Sequence, residues 1–174
     1  MGLYTHQAKA RLDGVYSACG VCGAGGVSPY YFWRYSDMKH KFLFYLLSIT
    51  WGLPLTLAGF LTATVLLATG HRPQRRCGCW YFNIGKSRWG GLNLGLVILC
   101  QPNASGSLKN HEFGHAIQNC RFGPIMLIFV VGSAIRYHYI NHLEKLGLPT
   151  PDYDSWWFEG QATELGTLYT QTWR

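Results

Sequence analysis

The chain has 174 residues and a mass of 19.7 kDa, which is enough for one domain of ordinary size and excludes two large ones. Only 13% of the residues are charged while 48% are hydrophobic. A soluble domain with this composition would have a poorly solvated surface. The net charge of +7 comes from bases that flank an apolar stretch without interleaved aromatics, so it favours contact with anionic lipid and argues against a nucleic-acid surface.

The N-terminal segment, 1–41, is rich in glycine and small residues and has no helical or strand period, so we expect a juxtamembrane loop. Cys19 and Cys22 have CxxC spacing, and Cys77 and Cys79 could complete a four-thiolate zinc site, although a CxC pair departs from the usual pattern. The two other thiols are predicted to be small buried apolar groups: Cys100 and Cys120. The cysteines do not decide the redox compartment.

The segment 42–70, FLFYLLSITWGLPLTLAGFLTATVLLATG, contains no charged side chain. About 20 mainly apolar residues are enough for a helix to cross a bilayer, so the segment predicts a transmembrane helix. A buried core helix and a secretory signal peptide are the alternatives, but the charge-free length disfavours the first and the position in the chain disfavours the second. Pro54 follows Gly52 within the segment, so we expect a kink or a break into two half-helices there.

Basic residues flank both ends of this apolar segment, so the positive-inside rule gives only a weak orientation. They are Arg34, Lys39 and Lys41 before the segment and Arg72, Arg75 and Arg76 after it. The tighter cluster after the segment favours a cytoplasmic position for the C-terminal part of the chain.

The remaining segment, 71–174, is predicted to form one membrane-associated domain. Aromatic and β-branched residues between glycine and proline positions predict a β-hairpin over 80–100. Three helices are predicted to follow, over 107–120, 124–142 and 154–170. The middle helix is apolar only from Pro124 to Ile135, which is short for a full membrane span.

The predicted helix 107–120 contains the sequence HEFGH, from His111 to His115. Residues four apart lie on one face of a helix, so the two imidazoles can bind the same ion. Glu112 projects beside them, where it can take a proton from a water without being a ligand. Strongly apolar sequence on both sides of the helix makes ionisable groups costly, which favours a functional role. We predict that His111 and His115 bind Zn²⁺ and that Glu112 is the general base.

A catalytic zinc site needs a third protein ligand and one open position. The downstream candidates are His138, His142, Asp152, Asp154, Glu159 and Glu164. The predicted helix 154–170 places Glu159 one turn before Ala162, a small residue that would let this helix pack closely against the HEFGH helix, so that Glu159 could reach the metal. No glycine-rich phosphate loop follows a strand, so the sequence predicts no cofactor besides zinc.

The HEFGH sequence with the later stretch WFEGQA, 157–162, resembles the gluzincin metallopeptidases. From about Leu46 onward the chain is also similar to small bacterial membrane proteins with an HEYGH-type helix. The resemblance implies that His111, His115 and Glu159 are the zinc ligands and that Glu112 is the base. It also implies a bacterial inner membrane, and the basic cluster after the apolar segment predicts that the metal site lies near the cytoplasmic face.

Two further features follow from the same resemblance. In gluzincins the strand before the metal helix often holds the peptide substrate by strand addition, and Leu94, Leu96 and Ile98 occupy that place. Many membrane gluzincins also carry an aspartate after the third ligand that orients a ligating histidine. Here the corresponding position is Thr163, whose hydroxyl can accept a hydrogen bond from an imidazole N–H but holds the ring less firmly.

Other polar residues could take part in the site. His138 and His142 form a second pair with helical spacing, but no carboxylate stands in the hydrolytic position beside them. A donor opposite the metal would polarise a substrate carbonyl, and Tyr153 and His138 are candidates for that role or for supporting a ligand.

Together, these patterns predict a mainly α integral membrane protein with a small β element and a zincin-like pair of metal helices. The expected activity is hydrolysis of peptide bonds with a metal-activated water, at or within the membrane. Two alternatives stay open: a non-catalytic subunit of a larger membrane complex, marked by closed four-ligand zinc coordination, and an anchor or interaction protein without metal. The expected partners are membrane lipid, a peptide or protein substrate and other membrane subunits, and no nucleic acid.

Overall fold

The computed structural model describes residues 41–86, 89–152 and 155–173, and within them the chain is mostly helical with one small sheet. The helices are α1 (Lys41–Ile49), α2 (Leu53–Ala68), α3 (Gly106–Phe122), α4 (Met126–Lys145) and α5 (Trp157–Thr172), with a 3-10 turn at Gly123–Ile125. The strands are β1 (Gln74–Arg76), β2 (Cys79–Asn83), β3 (Gly91–Leu94) and β4 (Val97–Cys100). The predicted combination of a mainly α chain and a small β element is confirmed. Residues 1–40 of the N-terminal segment, with Cys19 and Cys22, lie outside the described residues.

The stretch predicted as one transmembrane helix, 42–70, forms two helices, α1 and α2, whose axes differ by 88°. A continuous helix is therefore wrong, whereas the break expected near Gly52 and Pro54 is present. Pro54 has no N–H for the hydrogen bond of a continuing helix and sits in the first turn of α2 instead. Asn119 of α3 donates to the Gly52 carbonyl at 3.2 Å, and a Cβ on Gly52 would lie 2.3 Å from the Asn119 amide nitrogen. The break is thus held in place by α3.

The sheet has the strand order β1-β2-β4-β3, in which β2 and β4 are parallel and the other pairs are antiparallel. The predicted β-hairpin over 80–100 is therefore wrong: the hairpin is β3–β4, and β4 lies between β3 and β2. The reason is a tight turn at Gly95, which has φ +69° and whose N–H is accepted by the Asn93 side chain at 2.9 Å. This turn splits the segment that the sequence presented as one strand.

Helix α3 crosses the main core and carries the HEFGH sequence. Ser105 caps it, because its hydroxyl accepts a hydrogen bond from the Leu108 N–H at 3.1 Å. Phe113 is fully buried in a cluster that also contains Phe44 of α1, Tyr81 of β2 and Ile98 of β4. The apolar face of α3 is therefore fixed on the sheet and α1.

Helices α3 and α5 approach each other closely at two glycines. A Cβ on Gly114 would lie 1.9 Å from the Ala162 carbonyl oxygen, and a Cβ on Gly166 would lie 1.8 Å from the Asn110 carbonyl oxygen. Only glycine permits such backbone contact. The close packing expected at Ala162 is confirmed, and it places the residues of α5 near the HEFGH face of α3.

The described helices expose an unusual amount of apolar surface. The helical stretch Gly106–Lys145, 40 residues, is long and apolar enough by length and composition to cross a membrane, and 17% of its apolar window is buried. The bent pair of α1 and α2 passes the same test only when the two helices are taken together. The most exposed large apolar side chains of α2 and α4 are Leu61, Val65, Ile128, Val131 and Ile135.

Candidate metal centre

Three side chains converge where α3 packs against α5. The His111 and His115 Nε2 atoms lie 3.2 Å apart, and each lies 3.2 Å from Glu159 Oε2. Donor atoms bound at about 2.0 Å around a tetrahedral ion stand about 3.3 Å from each other, so this triangle has the dimensions of tetrahedral coordination with three of its four positions filled by protein. These residues could hold a metal ion, as the sequence predicted, and no other such group occurs among residues 41–86, 89–152 and 155–173.

The tautomer of His115 is set by Gln118, one turn further along α3. The Gln118 amide nitrogen donates to the Phe158 carbonyl at 2.8 Å and to Gln161 Oε1 at 3.1 Å. Its oxygen must therefore face His115 Nδ1, 2.7 Å away, and accept a hydrogen bond from the Nδ1–H. A neutral His115 then presents a lone pair on Nε2, the atom that points into the triangle. The ring also stacks on Phe158, with 5.1 Å between centroids.

The other ring is supported from α5. His111 Nδ1 lies 2.8 Å from Thr163 Oγ1, which is the contact expected of Thr163 from the sequence. A hydroxyl in this position can accept the Nδ1–H and leave Nε2 directed at the centre. Helix α5 therefore contributes both the carboxylate of Glu159 and, one turn later, a partner for His111.

Glu159 is fully buried, with 0% of its surface exposed. Burial raises the pKa of its carboxyl group, but the two imidazoles and the Ser133 hydroxyl have the larger combined effect and hold the pKa below its usual range. Its two oxygens differ: Oε1 accepts a hydrogen bond from Ser133 of α4, whereas Oε2 has no hydrogen-bond partner. A buried carboxylate oxygen without a hydrogen bond, facing two imidazole nitrogens, fits a cation.

Glu112 does not join the triangle but lies close enough to its three members to interact with them electrostatically. Its side chain is 4% exposed and packs against the backbone of β3. A Cβ on Gly91 would lie 2.5 Å from Glu112 Oε1, so the carboxylate occupies the space that a side chain at position 91 would need. Glycine at the start of β3 thus creates the room for Glu112.

The residues predicted to form a substrate strand divide between two strands and a turn. Leu94 is the last residue of β3, an edge strand, whereas Ile98 belongs to β4, which is hydrogen-bonded on both sides. Leu96 lies in the turn between them and is buried. Binding of a substrate strand at Ile98 is wrong, because a strand with two partners has no free backbone groups, whereas the assignments of Leu94 and Leu96 stay predictions.

The outer edge of the sheet near Glu112 belongs to β3, and this edge is covered at Asn93, which is 3% exposed. Along an edge strand, the backbone N–H and C=O groups of successive residues point alternately toward the neighbouring strand and away from it. The Gln101 N–H donates to the Gly90 carbonyl at 2.9 Å, so the backbone groups of Gly90 point toward β4. By that alternation the backbone groups of Leu92 and Leu94 face β4, and those of Gly91 and Asn93 face away from it. The outward groups therefore begin beside the carboxylate of Glu112.

Other predicted candidates stand apart from the centre. His138 and His142 are exposed on α4 and do not belong to the three-residue group. Tyr153 lies outside the described residues, as does Asp154. Cys77 and Cys79 are free thiols, and Cys100 and Cys120 are buried as predicted.

Two supporting residues were not predicted from the sequence. Gln118 follows His115 by three positions, a spacing that places both on one side of the helix and could have suggested the contact. Ser133 is the one hydroxyl in the apolar run from Pro124 to Ile135, and a lone polar residue in such a run is itself a signal of a buried partner.

A scan against protein-family models, a search of curated proteins and a search of solved structures each found no significant match to this chain. The resemblance to gluzincins and the zincin-like description of the helix pair therefore stay predictions. The geometry of the site itself, with two imidazole nitrogens and one carboxylate oxygen converging on one point, does not depend on that resemblance.

Proposed function

We propose that this protein is a membrane-embedded, zinc-dependent hydrolase of peptide bonds. The observation that carries the proposal is the triangle of His111, His115 and Glu159, with Glu112 beside it. Among the described residues, no fourth metal-binding side chain belongs to this group. Catalytic zinc sites hold three protein ligands and keep one position open, whereas structural sites are closed by four. The open arrangement favours catalysis over a zinc-stabilised structural subunit.

Zinc is the metal that best suits this set of donor atoms. Two neutral imidazole nitrogens and one carboxylate oxygen at tetrahedral spacing are typical of hydrolytic zinc sites, and magnesium or calcium would favour more oxygen donors. When bound, the ion would supply Lewis-acid polarisation of a carbonyl and lower the pKa of water.

Glu112 is proposed to act as the general base. Its carboxylate lies against Gly91, close to the ligands but outside the group of His111, His115 and Glu159. A carboxylate in this position can accept a proton from water and return it to the leaving amine. Its burial keeps bulk water away from the proton that it carries.

The proposed substrate is an extended peptide bound at the start of β3. The backbone groups of Gly91 face away from β4 and Gly91 is partly exposed, whereas Asn93 is 3% exposed, so an extended chain can add at the start of this edge, beside Glu112. Strand addition recognises the peptide backbone, which all peptides share, and Leu92, 37% exposed, offers an apolar contact beside it.

Membrane residence is proposed from the exposed apolar faces of α2 and α4. Each of these helices buries one side against the protein and leaves large apolar side chains uncovered on the other. A helix that is apolar on both its buried and its outer side is suited to contact with lipid. The basic residues Arg72, Arg75 and Arg76 follow α2 directly and suit an anionic membrane surface on the cytoplasmic side.

The test is hydrolysis of an internally quenched peptide library by the zinc-loaded protein in detergent or liposomes. We expect cleavage by the wild type and a loss of at least about 100-fold in Glu112→Gln, since a positioned base contributes on that order. Glu164→Gln makes the same chemical change at an exposed position of α5 and should cleave like the wild type. Equal cleavage by wild type and Glu112→Gln, or none by a zinc-loaded wild type, would contradict the proposal.

A further inference from the structure

The third ligand is supported by a residue from a different helix. Ser133 lies on α4, in a run of apolar residues, and its hydroxyl donates to Glu159 Oε1. Glu159 Oε2 is the oxygen that stands 3.2 Å from both imidazole nitrogens. One oxygen of the Glu159 carboxylate therefore accepts a hydrogen bond from Ser133, and the other faces the two imidazoles.

The position of Ser133 is fixed by contacts on either side of it along α4. A Cβ on Gly132 would lie 3.0 Å from the ring of Trp156, so α4 runs close to the residues that precede α5. One turn later Arg136 donates to the Asp152 carbonyl at 2.8 Å and to Ser155 Oγ at 2.9 Å. These contacts hold α4 against the start of α5 and keep the Ser133 hydroxyl facing Glu159.

We propose that Ser133 is a positioning residue that limits Glu159 to one-oxygen coordination and so keeps the fourth position of the metal open. A carboxylate can bind an ion through one oxygen or both, and the second oxygen approaches when the group rotates. With Oε1 hydrogen-bonded to Ser133, this rotation would break a buried hydrogen bond. Without Ser133, Oε1 is free to turn toward the metal as an additional donor, which gives the ion five donors when a water is also bound.

This inference rests on the proposed metal site and predicts a spectroscopic change. The probe is cobalt(II) alone, bound by the purified full-length protein, because its visible absorption is intense with four ligands and weak with five. We expect a four-coordinate spectrum in the wild type and a weaker, five-coordinate spectrum in Ser133→Val. Zinc affinity, measured by chelator competition, should fall about 10-fold in Ser133→Val, as is usual for the loss of a group that orients a ligand.

The control variants separate the hydroxyl from the shape of the side chain. Ser133→Thr keeps the hydroxyl and has the same shape as Ser133→Val, so it should retain the wild-type spectrum. Ala134→Ser places a hydroxyl on the neighbouring exposed position and should change nothing. Circular dichroism confirms that each compared variant is folded.

The outcomes distinguish this inference from the function on which it rests. A wild type that binds no cobalt would overturn the metal site itself. A wild type with a four-coordinate spectrum, together with an identical spectrum and affinity in folded Ser133→Val, would overturn only the role of Ser133. A five-coordinate spectrum in Ser133→Thr would also overturn it, since that variant keeps the hydroxyl.

Discussion

The replacement Gly114→Ala tests whether the contact between α3 and α5 assembles the metal centre. The new Cβ would lie 1.9 Å from the Ala162 carbonyl oxygen. An ordinary carbon–oxygen contact is about 3.4 Å, so the helices must separate by about 1.5 Å. His111 and His115 move with α3 and Glu159 moves with α5, so this separation lengthens the two 3.2 Å distances from the imidazoles to Glu159 Oε2.

We expect two measurable effects of Gly114→Ala. Overpacking of a tight interface should lower the free energy of unfolding by about 1–3 kcal/mol, measured by thermal or chemical denaturation in detergent. Zinc affinity, measured by competition with a chromogenic chelator, should fall by at least about 10-fold, because the third ligand no longer reaches the ion.

The matched control is Gly106→Ala at the start of the same helix, where an added Cβ meets nothing within 4 Å. It should bind zinc with wild-type affinity and unfold like the wild type. Wild-type zinc affinity in folded Gly114→Ala would refute the reasoning that this glycine contact sets the distance between the ligands.

Three further replacements test separate parts of the site and the membrane assignment. Gln118→Met should lower zinc affinity by about 10-fold to 100-fold in chelator competition, because His115 loses the acceptor that fixes its tautomer; unchanged affinity would contradict this. Gly91→Ala should displace the Glu112 carboxylate and reduce peptide hydrolysis while the protein keeps its zinc, and loss of the metal would show that the two sites are not separate. Ile128→Lys, at a side chain that is 70% exposed, should lower the fraction retained in membranes after alkaline extraction, since a lysine in the apolar layer costs about 3 kcal/mol; equal retention would count against lipid contact there.

The sequence predicted the parts of the site that have a local signature. The spacing of His111 and His115 on one helix is a property of that segment alone, and the small Ala162 indicated which later helix could approach it. The place of Glu159 one turn before Ala162 favoured it among the six candidates, and the resemblance to gluzincins implied its role as third ligand. The structure brings these three side chains together.

The features that were wrong or missed depend on contacts between distant segments. The division of 92–100 into β3 and β4 is set by a single glycine turn, and the pairing of β4 with β2 needs knowledge of the whole sheet. The role of Ser133 depends on how α4 lies against α5, which no period in the apolar run reveals. The break between α1 and α2 was suggested by Gly52 and Pro54, but its angle is fixed by Asn119 from another helix.

The most direct test of the metal centre is elemental analysis of the purified protein beside three variants. The account predicts about one zinc per chain in the wild type, retained in Glu112→Gln and lost in both His115→Ala and Glu159→Ala, because only the last two remove a ligand. Absence of zinc from the wild type, or full retention of zinc by Glu159→Ala, would contradict the account.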